Sequence, residues 1–120
     1  MTFTDYIDAV RKDAIEQIEN DEYSTKYYED AEQVIDAMWT DDAITGNGSG
    51  SYTFSTYQAQ QNVSELIFDE DFIDELDACC IDLGDLLKEG AETVDVTARC
   101  LALSYAHEAI TEAWEDKYQN

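Results

Sequence analysis

Apolar residues recur every three or four positions through the first forty residues, which is the spacing of one face of an α-helix. Thr2 and Asp5 form a capping-box pattern, so a first helix is predicted over about residues 3–19. A polar break follows, and the same period then predicts a second helix ending near Thr40. The apolar positions of the two helices are Tyr6, Ile7, Val10, Ala14, Ile15 and Ile18, then Tyr28, Ala31, Val34, Ile35, Met38 and Trp39.

The middle of the chain begins with a different pattern. Tyr52 and Phe54 alternate with a threonine, which is typical of a short β-like segment. Ser55 and Gln58 then form a second capping-box pattern. A third helix is therefore predicted after the extended piece, with its apolar positions at Val63, Leu66 and Ile67.

Two more apolar stripes complete the pattern. One is predicted to end near Gly84 and is followed by a short helical turn over residues 85–89 that Gly90 stops. The other is heptad-like and predicts a long central helix from about Val94 to Tyr118. Their apolar positions are Phe72, Ile73, Leu76, Cys79 or Cys80, and Leu83 in the first, and Val96, Cys100, Leu103, His107, Ile110 and Trp114 in the second.

These elements predict an all-α fold. We expect one acidic domain over residues 1–120, a bundle of about five helices with a neutral glycine-rich loop and at most a minor β hairpin. The chain has no proline, which fits a mostly helical protein without extended linkers. Its 120 residues are enough to bury one core without metals or disulfides.

The charge changes the picture more than the length does. Asp and Glu number 29 against 6 Lys and Arg, a formal net charge of -23. A surface of this sign repels nucleic-acid phosphates and anionic lipids over a Debye length of roughly 8 Å, so we expect no direct nucleic acid and no membrane among its partners. No apolar run approaches the length of a membrane span, and the first residues lack the order of a signal peptide, so we expect a cytoplasmic protein.

The acidic residues are unevenly distributed. Thirteen lie in residues 1–42, twelve in 65–95 and four in 108–116, whereas residues 43–64 contain no charge of either sign. Gly46, Gly48 and Gly50 mark a turn-rich part of this neutral segment. Two acidic segments therefore flank a neutral insert, which is a candidate contact surface in its own right.

The residues with catalytic or metal-binding chemistry form no recognisable site. Cys79, Cys80 and Cys100 lack CxxC spacing and are expected to be reduced, buried small hydrophobes. His107 lies on the predicted apolar stripe, about 10.5 Å along the helix from Cys100, which favours a core histidine over a catalytic base. A zinc site made of these four side chains is disfavoured because adjacent cysteines point in different directions. We predict no enzyme, no metal and no cofactor.

Two apparent ligand motifs are also rejected. The run that includes Asp69, Asp71 and Asp74 lacks the glycine and glutamate that an EF-hand loop requires. The glycine-rich run at residues 45–51 lacks the Lys-Ser/Thr ending of a phosphate-binding loop, and its acidic surroundings would repel a phosphate. A turn-rich loop is the better interpretation of these glycines.

The density of carboxylates carries the functional prediction. As one helix, residues 69–82 would span about 21 Å with a charge every 3 Å or so, and one DNA strand carries a charge about every 3.4 Å. Carboxylates on the first two helices would extend this phosphate-like field. The predicted partner-binding residues are Asp69, Glu70, Asp71, Asp74, Glu75, Asp77 and Asp82, with Asp5, Asp8, Glu16, Glu19, Glu29 and Asp30.

Two simpler explanations compete with phosphate mimicry. Most runs of charge are solvated faces, and negative charge improves solubility without any partner. Against this, the scarcity of compensating cations costs stability through self-repulsion. Adaptation to high salt is the second explanation, and the ten Asn and Gln residues together with many large apolar side chains weaken it.

The chain resembles the acidic DNA-mimic inhibitors of phages and mobile elements, a class that includes anti-restriction and anti-CRISPR proteins. The shared features are the negative charge, the helical pattern, the lack of proline and the lack of a catalytic set. The segment Met38 to Gln60, MWTDDAITGNGSGSYTFSTYQAQ, about a fifth of the chain, is similar to small proteins carried by phages and conjugative elements of gut bacteria. The neutral insert departs from the uniformly acidic surface of a mimic.

This resemblance implies an inhibitor that occupies the basic nucleic-acid channel of a host defence protein, a Cas effector or a restriction enzyme, as a monomer or homodimer. The alternative is an interaction or structural module of a mobile element, acidic for solubility, that binds a protein through the neutral loop 43–64. Tyr52, Phe54 and Tyr57 would then be contact residues, although core packing is the simpler expectation for these aromatics.

Overall fold

The computed structural model describes residues 1–46 and 56–119. The first helix, α1, runs over Phe3–Glu19, and Thr2 caps it as predicted. The Thr2 backbone N–H donates to the Asp5 carboxylate over 2.8 Å, and the Asp5 N–H donates to the Thr2 hydroxyl over 3.3 Å. The predicted stripe of α1 is confirmed at its four buried residues, Tyr6, Val10, Ala14 and Ile18. Ile7 and Ile15 are half-buried at its edge, and Phe3 is buried in addition.

Five more helices follow in the described part of the chain. They are α2 (Ala31–Met38), α3 (Thr56–Leu66), α4 (Glu70–Ala78), α5 (Leu83–Glu89) and α6 (Ala91–Tyr118). The structure is mostly helical, at 72%, and no strand occurs among the described residues. The all-α prediction is confirmed, with six helices where about five were expected. The predicted β-like segment and the Ser55 cap lie outside the described residues.

Helix α6 is the central packing element, as predicted. Helices α1, α2, α3 and α5 all pack against it. Trp114 is fully buried, and its indole N–H donates to the Tyr23 carbonyl over 2.6 Å, which joins the end of α6 to the turn after α1. Trp114 is therefore a core residue, as its position in the stripe predicted.

The predicted stripe of α6 is confirmed at Leu103, Ile110 and Trp114, which are buried, whereas Val96 and Cys100 are only half-buried. Six of the nine buried residues of α6 form a row with a spacing of four, and each four-residue step turns about 40° further around the helix than one full turn. Because partner helices contact α6 on several sides, its buried surface winds around the axis and follows no heptad. His107 is exposed, so its predicted core position is wrong. The row is Val94, Ala98, Ala102, Ala106, Ile110 and Trp114.

Helix α4 is shorter than predicted. It ends at Ala78, and Cys80 adopts a positive φ of 59°. The Cys80 N–H donates to the Asp77 carbonyl over 3.1 Å and the Ile81 N–H to the Leu76 carbonyl over 2.9 Å, which together form a Schellman motif. This turn separates α4 from α5, so residues 69–82 do not form one helix.

The same turn exposes the adjacent cysteines. Cys79 and Cys80 are exposed and Cys100 is half-buried, so the predicted burial of the first two is wrong. Both lie beyond the last residue of α4, where the apolar stripe no longer faces the core. Gly84, predicted to end the helix, lies instead inside α5, while Gly90 ends α5 as predicted.

A buried arginine holds the segment that follows α2. Arg99 of α6 is only 3% exposed. Its guanidinium donates to the Ile44 carbonyl over 2.7 and 3.1 Å and to the Asp13 carboxylate over 3.1 Å. Ile44 and Thr45 are fully buried. The start of the neutral segment is therefore packed into the core and bonded to α6.

The described helices do not have the properties of a membrane span. None of them combines sufficient length with a sufficiently apolar stretch to cross a bilayer. The longest, α6, has 28 residues but carries charged side chains in both of its halves.

Candidate partner-binding surface

The few cations are mostly engaged within the molecule. Arg99 is buried, and Lys117 donates to the carbonyls of Ile18 and Glu19 over 3.0 and 2.7 Å. Arg11 pairs with Asp8 over 2.6 Å. Most carboxylates therefore have no cation beside them, and the negative field of the surface is uncompensated.

Neutral donors satisfy several of the carboxylates. Four tyrosine hydroxyls each donate to a carboxylate, and this contact satisfies the oxygen without adding positive charge. In the pair of Tyr118 and Asp21, the oxygens lie 2.6 Å apart. The pairs are Tyr6 with Asp95, Tyr23 with Asp41, Tyr105 with Glu75, and Tyr118 with Asp21.

Some of the predicted binding residues have structural contacts as well. Asp30 and Asp82 cap α2 and α5, and Asp69 accepts a hydrogen bond from the Phe3 N–H at the start of α1. Asp5 belongs to the capping box, where the hydrogen bond from the Thr2 backbone lowers its pKa. These carboxylates are satisfied in part by backbone amides of the protein itself.

Other predicted residues lie free on the surface. The side chains of Glu70, Asp71, Asp74 and Asp77 are exposed on α4, and none makes a hydrogen bond or ion pair within the described residues. Glu16 and Glu19 are exposed on α1, and Glu29 precedes α2. The structure therefore distributes the predicted acidic residues over α1, α4 and the N-terminal ends of α2 and α5.

Three of the predicted residues converge on one groove. Asp71, Asp74 and Glu75 of α4 line a surface cavity of about 330 Å³ together with the first turns of α1 and the middle of α6. The remaining lining side chains are Phe3, Thr4, Ile7 and Tyr105, so no basic residue of the described chain lines this groove. We call these seven residues the acidic groove.

Tyr105 forms an aromatic wall of the acidic groove. It is 55% exposed, and its ring meets the Phe3 ring edge-on, with centroids 5.7 Å apart at 88°. Its hydroxyl donates to the Glu75 carboxylate, and this hydrogen bond raises the pKa of Tyr105 above its usual value. Phe3 thus contacts the ring and Glu75 holds its hydroxyl, while more than half of the residue remains exposed.

The residues of the groove that sequence reasoning missed are Phe3, Thr4, Ile7 and Tyr105. Tyr105 lies two positions from Leu103 on α6, outside the predicted apolar stripe. A large aromatic at a position that is expected to face solvent was the sequence signal that could have indicated a contact surface. The contact between α1 and α4 was not predictable, because no sequence pattern specifies which helices meet.

The potential metal ligands of the described chain do not converge on one point. Within the described ranges, no group of three or more His, Cys, Asp and Glu side chains is arranged to hold a metal ion. Cys100 is half-buried beside Thr45, and burial raises the pKa of its thiol. This environment disfavours the thiolate that a nucleophile or a metal ligand requires.

The neutral segment presents one exposed aromatic in its described part. Tyr57, near the start of α3, is 69% exposed, so the expectation that it packs in the core is wrong. Ala59 and Val63 face the interior instead. Tyr52 and Phe54 lie outside the described residues.

No family model, curated protein or solved structure matches this chain. The expected resemblance to acidic DNA mimics therefore stays a prediction from the sequence.

Proposed function

We propose that this protein inhibits a host nucleic-acid-binding defence protein, a CRISPR effector or a restriction enzyme, by occupying its basic channel. Exposed carboxylates on α1, α2 and α4 stand in for phosphates. Inhibition is by competition with nucleic acid, without catalysis or a cofactor. Such a target places the protein in the host cytosol.

One observation carries this proposal: the exposed carboxylates of α4 lack cationic neighbours. Glu70, Asp71, Asp74 and Asp77 lie on a helix of nine residues, about 13.5 Å long. Their mean spacing along the axis is close to the charge spacing of about 3.4 Å on one DNA strand. A basic channel that binds phosphates would attract this surface for the same electrostatic reason.

The test begins with cells that each carry one defence system and are challenged with phage. Expression of the protein should restore phage growth against the system whose effector it binds. With that effector purified, the protein should displace a fluorescent DNA duplex, and added salt should weaken the displacement. Displacement that is indifferent to salt, or inhibition with duplex still bound, would contradict mimicry.

A charge-reversed variant tests the surface itself. The triple change Asp71→Lys, Asp74→Lys and Glu75→Lys replaces attraction by repulsion and should abolish displacement. Folding should survive, because the apolar contacts of α4 come from Phe72 and Leu76. If the folded variant inhibits like the parent, α4 is not in the interface.

A second candidate function is supported by the exposure of Tyr57. In this alternative the protein is a non-enzymatic interaction module that binds a partner protein through the neutral loop 43–64. Binding would then withstand salt and DNA, and Tyr57→Ala would weaken it by several-fold, whereas the α4 lysine variant would bind normally. If the protein is a phosphate mimic, Tyr57→Ala should bind normally and the α4 lysine variant should fail to bind.

A further inference from the structure

The acidic groove has a chemistry that general phosphate mimicry does not require. Asp71 and Asp74 are exposed, and their carboxylates have no partner among the described residues. Beside them lie an aromatic ring and the apolar side chains of Phe3 and Ile7. A phosphate-like surface needs only negative charge, so the aromatic wall implies a more specific occupant.

The groove is also preorganised. The Phe3 ring and the Glu75 carboxylate fix Tyr105 from two sides, and Phe3 itself is buried against Phe72, with ring centroids 5.9 Å apart. Glu75 uses one oxygen for Tyr105, and a carboxylate has lone pairs for further donors. Binding would therefore not have to order the ring first, which lowers its entropic cost.

We propose that the acidic groove receives an arginine side chain of the basic partner. This inference rests on the proposed function, because it specifies how that partner is bound. The guanidinium would lie against the open side of the Tyr105 ring and donate to the Asp71, Asp74 and Glu75 carboxylates. The three carboxylates and the lack of a basic lining residue make the groove complementary to a cation.

The aromatic wall favours arginine over lysine. A guanidinium is planar, stacks on aromatic rings and presents several N–H donors in one fork, so it can contact a ring and two carboxylates together. A lysine ammonium is a compact and strongly hydrated charge that gains less from the apolar part of the groove.

Short peptides test the groove without knowledge of the target. The probes are acetyl-Gly-Gly-Arg-Gly-Gly-amide and its lysine and citrulline counterparts, titrated into the labelled full-length protein and followed by NMR. The arginine peptide should shift the amides of Ile7, Asp74 and Tyr105 in a saturable way. Citrulline has nearly the same shape without the charge and should not bind.

Variants separate the contribution of the Tyr105 ring to peptide binding from that of the three carboxylates. Tyr105→Ala should weaken binding of the arginine peptide about threefold. Tyr105→Phe keeps the ring and should change the affinity less than about twofold. The amide triple Asp71→Asn, Asp74→Asn and Glu75→Gln should weaken it at least about tenfold. Circular dichroism confirms that each variant is folded.

The matched control is a second amide triple at Glu22, Glu32 and Glu112. These residues are exposed, form no hydrogen bond or ion pair through their carboxylates within the described residues, and do not line the groove. The control removes the same number of charges. It should leave the affinity for the arginine peptide within about twofold of the parent value, because distant exposed charges are screened.

The outcomes distinguish this inference from the proposed function. Equal binding of the lysine peptide, equal effects of the two amide triples, or shifts that avoid the groove would overturn the arginine site. If duplex displacement is still intact in that case, phosphate mimicry stands without the groove. If the peptide binds as expected but no effector is inhibited, the proposed function fails while the site remains.

Discussion

Arg99 shows how much structure a single cation supports in this acidic protein. Its guanidinium satisfies the buried Ile44 carbonyl and pairs with Asp13, so one side chain joins α1, α6 and the start of the neutral segment. Asp13 forms no second ion pair with a cation among the described residues. Loss of Arg99 would therefore leave both the Ile44 carbonyl and the Asp13 carboxylate without this partner.

The variant Arg99→Met should lower the free energy of unfolding by about 3 kcal/mol, because it leaves a buried carbonyl unpaired. Urea denaturation measures this change. Lys12→Met is the matched control: Lys12 is exposed without a contact in the described residues, and its loss should cost less than about 0.5 kcal/mol. Similar costs for the two variants would show that the Arg99 contacts do not stabilise the fold.

The tyrosine–carboxylate pairs give the fold a dependence on high pH. Burial and the Asp21 hydrogen bond raise the pKa of Tyr118 to about 12 from an ordinary value of 10.0. Burial and the contact with Asp41 also raise the pKa of Tyr23. A raised pKa in the folded state means that the stabilisation is complete below pH 10 and is lost as the pH rises through the folded value.

We therefore expect the melting temperature to fall between about pH 10 and pH 12. Tyr118→Phe removes one titrating hydroxyl and should make the decline shallower. Tyr27→Phe is the control, because Tyr27 is exposed and its hydroxyl contacts no carboxylate in the described chain. Thermal denaturation measures this decline of the melting temperature with pH. An unchanged decline in Tyr118→Phe would contradict the contribution assigned to the Tyr118 hydroxyl.

At the scale of the element, two Schellman motifs end helices with residues other than glycine. Cys80 follows α4 with a φ of 59°, and Asp21 follows α1 with a φ of 63°. The left-handed region costs most residues about 1–2 kcal/mol, and glycine adopts it readily. Asp21 also contacts Tyr118 and Lys117, whereas Cys80 is exposed and makes no side-chain contact in the described chain, so Cys80 is the better position to test.

Cys80→Gly should raise the free energy of unfolding by about 0.5–1 kcal/mol, since the gain at the left-handed position exceeds the entropy that glycine adds to the unfolded chain. Cys79→Gly is the control: Cys79 has a φ of -93°, and this change should lower stability. Chemical denaturation of both variants under reducing conditions measures the two changes in the free energy of unfolding. A destabilised Cys80→Gly would mean that the thiol itself contributes.

At the scale of the whole molecule, the net charge of -23 opposes compaction. Added salt screens this repulsion, so the melting temperature should rise with NaCl, most steeply below about 0.1 M, where the Debye length exceeds about 10 Å. Differential scanning calorimetry between 10 mM and 500 mM salt, a range chosen to bracket about 0.1 M, measures the slope. The same screening should weaken binding to the proposed basic target.

The control for this slope is the triple change Glu22→Lys, Glu32→Lys and Glu112→Lys. It makes the protein less acidic at exposed positions and should melt higher at low salt with a shallower salt dependence. A melting temperature that falls or stays flat with salt in the parent would show that its acids are effectively paired.

The sequence by itself determined the helical class, the bounds of α1 with its capping box, and the stop at Gly90. Each of these depends on residues within a few positions of one another, because caps and apolar periods are local. It also determined the charge, from which the proposed class of partner follows.

The tertiary structure decided what depends on contacts between distant residues. His107 is exposed because the partners of α6 approach it from several sides and its buried row winds around the axis. Tyr105 joins Asp71, Asp74 and Glu75 only because α1, α4 and α6 meet there. Periodicity shows that a helix has a buried face, but the neighbours that cover this face determine which residues remain on the surface.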